Sequence, residues 1–328
     1  MTDPNVAIII LNWNGWKDTI ECLESLDQII YQNYNIIIVD NGSKDDSIQK
    51  IEDFSKSKTN FEFSEFSREE IEESNKINCL NVSQKKKMIV LKNEINSGFT
   101  GGSNLGIRFA MKFLNPNYFL ILNNDTVVDK RFLTYLIEVG ESDEKIAVVG
   151  PKIYYYYEPE IIQSMGLFIN PWKYQIRCPI NYESDATIKA DLINGAVILI
   201  KKSTIDTVGF FDTDYFVYVE ETDYCIRVKK HGLYTVCAPK SKVWHKIYSS
   251  SGGEVNPNLL YYWTRNIILF YKKNYDHYLI RIFILCFIRY GIQIGVFISK
   301  GEYRLLKGVI NGLIDGMKGK TGVLMKKF

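Results

Sequence analysis

The chain has few cysteines and few histidines, its start does not predict an exported-protein leader, and each shortage narrows its class. Its 328 residues include six cysteines (Cys22, Cys79, Cys178, Cys225, Cys237 and Cys286), none in C-x-x-C spacing. Several lie in apolar surroundings where a free thiol packs as a small hydrophobe, which fits a reduced, cytosolic compartment. The N-terminus, MTDPNVAIII, carries an acid where a secretory signal needs positive charge, and its apolar run is too short, so secretion by that route is not expected. No low-complexity linker and no repeat beyond strand–helix units is visible. The glycine-rich stretch SGFTGGSNLG fits neither the dinucleotide fingerprint G-x-G-x-x-G nor the phosphate loop G-x-x-x-x-G-K-[ST].

What is present is ordinary in bulk and uneven in arrangement. Hydrophobic content of 46% and charged content of 24% suit a globular protein, with length for one large or two modest domains. The formal charge of +2 hides an asymmetry: from Tyr271 onward there are 11 Lys/Arg against 3 Asp/Glu, and before it 29 against 35. A basic tail on an acidic body suggests an anionic surface, a membrane or a nucleic acid.

VAIIILNWN (6–14) is a continuous apolar run ending in polar residues, the pattern of a parallel strand buried on both faces. DTIECLESLDQI follows at helical spacing, and YNIIIVDNGSKDDS repeats the unit, implying a right-handed crossover and a parallel sheet. Residues 55–88 break the rhythm. They are polar, charged and poor in branched aliphatics, and predict a surface insertion with room for one exposed helix. MIVLKN, YFLILNNDT, KIAVVGPKIYYYY and NGAVILIKK predict further strands, residues 221–230 a short helix, and LYTVCAP and SKVWHK two extended pieces. The expected organisation is an α/β domain over 1–270 and a helical tail over 271–328. Segment 278–298 is long enough to span a bilayer, but it contains Arg281 and Arg289. At 100° per residue His277, Arg281, Arg289, Gln293 and Lys300 share one arc, which predicts an amphipathic helix lying in a membrane interface or packed on the protein. The positive tail favours the membrane surface over packing on the protein, and no nucleic-acid partner is expected.

In open α/β sheets, ligands bind outside the carboxyl ends of the strands. Polar endings recur there: Asn12 to Asn14, Asp40-Asn41, Asn96 to Asn104, and Asn123, Asn124 and Asp125 after the buried run Tyr118–Leu122. Asn and Asp also simply turn a chain at a strand's end, so no single one decides.

Taken in order, VAIIILNWNG, VDNGSKDDS, NSGFTGGSNLGI, LILNNDTVV, GAVILIKK, GFFDTDYFVYVEETDYCIRVKKHG and KVWHK…SS resemble family-two glycosyltransferases of GT-A fold, with the rhamnosyltransferase-like branch nearest, over roughly residues 5–270. The resemblance implies a Rossmann-like, mostly parallel sheet flanked by helices. It implies inverting transfer of a sugar, a rhamnose-type deoxyhexose as first expectation, from a nucleoside-diphosphate donor to a cell-surface glycan or lipid-linked acceptor, with Mg²⁺ or Mn²⁺. It places Asp40 at the nucleobase and Asn12 and Asn14 beside the nucleotide. Asn96, Gly98, Gly101, Gly102 and Asn104 fall in a glycine-rich loop near the donor, although tight helix–sheet packing would also explain those glycines. NNDT sits at the family's D-x-D motif: Asp125 matches the metal-binding acid, while Asn123 departs from the first acid and, with Asn124, remains a donor-site candidate. His245 matches a further metal ligand. In YVEETDYC, Glu221 stands where the family has its base, usually Asp, with Glu220 before it. Asp223 suits helix capping and a pair with Arg227. Arg265 could face the diphosphate or brace the tail. The expected location is cytoplasmic, peripheral on the cytoplasmic membrane face. The rival readings are a UDP-hexose, galactofuranose or N-acetylhexosamine donor, a nucleotide-sugar-binding module without catalysis, and a nucleotidyltransferase, whose basic glycine-rich N-terminal loop this chain lacks.

Overall fold

The computed structural model describes residues 3–58, 60–73, 86–173, 175–179, 185–247, 256–276 and 279–324. Strands β1 (Val6–Asn12), β2 (Tyr34–Asp40), β4 (Lys86–Lys92) and β5 (Tyr118–Asn123) are the apolar runs, laid parallel in the order β5-β1-β2-β4. Alternation sorts each strand between two cores. Ile8, Ile10, Ile36, Ile38, Leu120 and Leu122 meet Cys22, Leu23 and Leu26 of α1 (Trp16–Asp27) and Phe132, Leu133 and Leu136 of α5 (Phe132–Glu141). Ile9, Ile37, Val39, Phe119 and Ile121 meet Ile107, Phe109 and Ala110 of α4 (Gly98–Phe113) on the other face. Each fully buried isoleucine contributes roughly 1.5–3 kcal/mol relative to exposure. The close seat of α4 on the sheet depends on its glycines: a β-carbon on Gly106 would lie 2.5 Å from Ile9 Cγ2, and one on Gly102 2.8 Å from Leu11 Cδ2.

Beyond β5 the sheet turns mixed. Strand β12 (Val197–Lys201) runs antiparallel to β5 and to β7 (Ile146–Tyr155), and β13 (Tyr234–His245) is parallel to β7. LYTVCAP and SKVWHK are therefore one twelve-residue strand, with a register irregularity between Ala238 and Lys242. Short β11 (Ile188–Ala190) closes that rim, and β6 (Thr126–Val128) pairs antiparallel with the end of β13.

The 55–88 segment differs from its reading as a polar insertion. Helix α2 (Ser47–Ser57) enters it, and strand β3 (Phe61–Ser67) pairs parallel with β4 along its whole length. Its phenylalanines reach the cores on both faces, Phe61 and Phe63 on one and Phe66 on the other. The intervening glutamates belong to an edge strand, where Glu62 pairs with Lys87 at 2.7 Å and Glu65 with Lys92. A capping box of Ser67 and Glu70 then starts the short α3 (Arg68–Glu72). Residues 59 and 74–85, with Cys79, lie outside the described residues.

After β13 the chain is helical: α8 (Pro257–Asn274), α9 (Leu279–Ser299) and α10 (Tyr303–Lys318). The change of composition at residue 271 falls inside α8. Helix α10 packs on α8 through Gly308, Gly312 and Gly316; a β-carbon on Gly308 would come within 2.4 Å of the Pro257 carbonyl oxygen. Along α9, Ile284, Ile288, Ile292 and Val296 are exposed. His277 and the side chains of Arg281 and Cys286 lie outside what is described. No helix among the described residues is long and apolar enough to cross a membrane.

Candidate active site

Pairing in register brings the polar strand ends to one edge: Asn12 lies opposite Asp40, Leu11 opposite Asn123, and Asp40 opposite Lys92. Asp40 is buried, and its carboxylate accepts from Asn12 Nδ2 at 2.8 Å, Ser43 Oγ at 2.6 Å and Ser43 N at 3.0 Å. Ser43 Oγ in turn accepts from the Asn14 backbone N–H at 2.9 Å, and Asn14 Oδ1 accepts from Lys44 N–H at 2.7 Å. Asn14 sits at φ 51°, in the left-handed region where Asn is tolerated. Thr19 ties this turn to the next strand by donating to Asn12 Oδ1 and accepting from Asn124 Nδ2 at 3.0 Å. Asp40, Ser43 and Lys44, with Arg68 and Lys92, line a cavity of about 290 Å³.

The glycine-rich segment is helix rather than loop. Asn96 starts it, its Oδ1 accepting from Gly98 N–H at 2.8 Å, and Gly98 takes φ 75° beneath the Phe216 carbonyl, where a β-carbon would lie 2.3 Å from that oxygen. Gly101 sits against Ser97 and Gly102 against Leu11 and Asn41. Asn104 is buried and grips the Phe211 backbone through both amide atoms, at 2.8 and 3.0 Å. These positions are thus engaged with protein neighbours.

The pairing of β6 with β13 sets Thr126 opposite His245 and brings the imidazole to Asp125. Nε2 lies 3.2 Å from Asp125 Oδ1, and both side chains are largely buried. His245 Nδ1 is 3.2 Å from Gln163 Oε1. With Nε2–H toward the carboxylate the pair is a direct hydrogen bond; with Nδ1–H donated to Gln163, the Nε2 lone pair would face Asp125 and the two would suit a shared cation. No group of three His, Cys, Asp or Glu side chains suited to a metal occurs among the described residues. One carboxylate and one imidazole nevertheless fit Mg²⁺ or Mn²⁺, which take few protein ligands when substrate phosphate and water supply the rest. Behind His245, Lys246 is bonded to Asp18 at 2.7 Å and to Glu21. Burial lowers its pKa, but those two acids outweigh burial and hold it above the ordinary lysine value.

The carboxylate pair opens helix α7 (Glu220–Lys230), whose first turn also holds Asp223. Asp223 is structural, with Arg227 Nε at 2.8 Å, Asn274 Nδ2 at 2.8 Å and Tyr215 Oη at 3.2 Å. Glu220 is buried, and its Oε2 has no hydrogen-bond partner among the described residues. Burial, then the charge of Glu221, raises its pKa well above the usual carboxylate range. Glu221 is half-buried and also raised, chiefly by burial. Its side chain lies over Gly195, with Cγ 3.4 Å from where a β-carbon would stand. Ala196, the next residue, accepts from Asn123 N–H at 2.9 Å, so Glu221 stands one strand beyond Asn123 on the same edge.

Comparison with known proteins identifies the family and the fold. The family described as Glycosyl transferase family 2 matches residues 7–207. The chain belongs to that family. It is 24% identical over 149 residues to a low-salt glycan biosynthesis hexosyltransferase of Haloferax volcanii, covering 42% of this chain and 45% of that protein. It is 23% identical over 239 residues to a dTDP-rhamnosyl transferase of Shigella flexneri (69% and 77%). It is also 31% identical over 83 residues to an N-acetylglucosaminyl-diphospho-decaprenol L-rhamnosyltransferase of Mycobacterium tuberculosis (25% and 26%). The chain thus spans under half of the first and about a quarter of the third. A solved mannosyltransferase from Pyrobaculum calidifontis, in complex with GDP-Man and Mn²⁺, superposes with TM-score 0.58 at 11% identity over 97% of this chain and 88% of that one. GalNAc-T7 with UDP, GalNAc and Mn²⁺ gives 0.60 at 15% identity over 84% and 49%. The fold is GT-A.

Several working residues were not singled out in the sequence: Thr19, Ser43, Gln163, Gly195 and Asn266. Ser43 alone had a local signal, following the Asp40-Asn41-Gly42 turn in which Gly42 takes φ 77°. Arg265 is 1% exposed and faces backbone carbonyls, which makes it a brace.

Proposed function

We propose that the chain transfers a rhamnose-type deoxyhexose, with inversion, from a nucleoside-diphosphate donor to a hydroxyl of a glycan or lipid-linked acceptor, with Mg²⁺ or Mn²⁺ as cofactor. The observation that carries the reading is the order of groups along one sheet edge: the cavity at Asp40, then Asn12, then Asn123 with Asp125 and His245, then Glu221 over Gly195. At a strand spacing of about 4.8 Å, the step from β2 to β12 covers on the order of 14 Å. Nucleoside, diphosphate and sugar can lie along it in that order.

Asp40 and the Ser43 turn would hold the nucleoside. Asp125 and His245 would hold the metal, which supplies positive charge against the departing diphosphate. Glu221 would take the acceptor's proton. Its burial makes it a stronger base than a free carboxylate, and Thr222 Oγ1, at 3.2 Å, together with backbone groups of Val219, Glu221 and Thr222, holds it at the start of α7. Glu220 is the less suitable of the two because its side chain is sealed from solvent. The rhamnose assignment is supported by the names of two relatives, and the lipid-linked acceptor by one of them.

A panel of nucleotide sugars tests the donor, read as thermal stabilisation with Mn²⁺ and as release of nucleoside diphosphate. dTDP-rhamnose should stabilise and turn over. A UDP-sugar that outperforms it replaces the donor, and binding without turnover of any donor favours a non-catalytic module.

For the tail we propose a peripheral seat on the cytoplasmic face of an anionic bilayer. Ile284, Ile288, Ile292 and Val296 recur every fourth residue on α9 and are 43–66% exposed, in a tail with 11 basic residues against 3 acidic. Apolar stripe plus positive charge suits a lipid surface. Sedimentation with phosphatidylglycerol vesicles should fall with salt and with Ile288→Ser/Ile292→Ser. A concentration-dependent dimer lost in that variant would assign the stripe to a second copy instead.

A further inference from the structure

The segment from Asp214 to Val219, which delivers Glu220 and Glu221 to the site, does not hold its shape by itself. Phe216, Tyr218 and Val219 have φ of 63°, 68° and 74°. None is glycine or asparagine, and a β-branched valine in the left-handed region is an outlier that surrounding structure must enforce. Val219 is the residue from which α7 starts, so its backbone sets where the next two side chains point.

Thr100 N–H of α4 donates to the Phe216 carbonyl at 3.2 Å, and the rest of the enforcement comes from two adjacent buried residues on α8. Asn266 Nδ2 lies 2.8 Å from the carbonyl oxygen of Tyr215, 2.8 Å from that of Val217 and 2.9 Å from that of Tyr218. Arg265 Nη2 reaches the carbonyls of Asp214 and Tyr215 at 3.2 and 3.1 Å, and its Nε donates to Asn266 Oδ1 at 2.9 Å, fixing which way that amide faces. The third arm of Arg265 reaches the C-terminal segment: Nη1 donates to the Gly322 carbonyl at 2.7 Å, and Gly322 N–H donates to the Asp214 carbonyl at 2.8 Å. Tyr262, one turn before Asn266, stacks on Phe216 at 4.9 Å and accepts from Leu324 N–H at 2.7 Å. Segment, α8 and the residues after α10 thus form one closed hydrogen-bonded unit.

We infer that Asn266 and Arg265 are positioning residues for Glu221, and that the C-terminal segment 319–324 completes the catalytic apparatus. The inference rests on the reading of Glu221 as the base. Two perturbations of the full-length protein address it: Asn266→Asp, nearly isosteric but with no N–H for the three carbonyls, and deletion of residues 319–328. Each is compared with wild type and with Glu221→Gln. The readouts are release of nucleoside diphosphate from the tightest-binding sugar of the panel with Mn²⁺, and donor affinity by calorimetry.

Misplacement of a reacting group by about an ångström costs on the order of 100-fold, so turnover should fall about 10–100-fold in both variants while donor affinity stays within about twofold of wild type, since the nucleotide end is untouched. Circular dichroism reports whether each variant is folded, and if Asn266→Asp does not fold the deletion decides. Folded variants with wild-type turnover, while Glu221→Gln is inactive, would overturn the positioning role alone. Turnover and donor binding falling together would mark a merely structural role. Retained turnover in Glu221→Gln would overturn the base assignment and the inference with it.

Discussion

The two ends of the candidate site are built by different means. At the proposed nucleotide end, Asn12, Asp40 and Ser43 stand at the tips of parallel strands, and their bonds run within one turn or to the tip of the adjoining strand. At the carboxylate end, the chain from Asp214 to Val219 adopts a conformation that its own residues disfavour, at about 1–3 kcal/mol per residue, and is held by α8 and the C-terminal segment. The first arrangement would survive the loss of a distant element. The second depends on residues more than forty positions away. Binding of donor and transfer of sugar should therefore be separable by mutation.

The largest separation is expected at Glu221. Glu221→Gln should lower turnover by about 10²–10⁴-fold with donor affinity nearly unchanged, and a larger loss in Glu220→Gln would move the base by one residue. Burial also places the acid limb of the wild-type pH profile above the ordinary carboxylate range, a shift seen directly in turnover against pH. Next comes Asp125→Ala, which should remove metal-dependent donor binding by calorimetry while His245→Ala weakens it less. Preserved metal dependence in Asp125→Ala would detach that residue from the cofactor.

Smaller effects are expected in stability. A β-carbon on Gly312 would lie 2.7 Å from the Tyr261 carbonyl, so Gly312→Ala should cost about 1–3 kcal/mol in denaturant unfolding and reduce turnover more than donor affinity. The smallest concerns Glu220. Its raised pKa means the folded chain keeps a proton that the unfolded chain loses near pH 4.3, so its contribution to stability declines as pH rises through that window toward the folded value. Glu220→Gln removes the decline and should raise the melting temperature at pH 7 with little change at pH 4.

The contrast also marks what could be read from the sequence. β1, β2, β4 and β5 and their polar ends were legible because a strand buried on both faces leaves an unbroken apolar run. Strand β3 was hidden because an edge strand interleaves its phenylalanines with charges that pair across to β4. Strand β13 looked like two pieces because a register irregularity interrupts it. The pairing of Asp125 with His245 was legible only through the family resemblance; its physical cause is the β6–β13 ladder. Nothing local in FVYV announces left-handed backbone, and nothing in TRN announces what will hold it. Such contacts exist only in the folded chain.

The rims of the sheet carry a consequence for association. One ends in the three-residue β11, and the other in β3, where glutamates neutralise the lysines of β4. Short or charged edges resist capture of a further strand. A sheet of eleven strands among the described residues, with so much branched aliphatic content, would otherwise be prone to add chains side by side and aggregate. Assembly of this protein, with itself or with other proteins, should therefore proceed through helical surfaces and leave the sheet closed to recruitment.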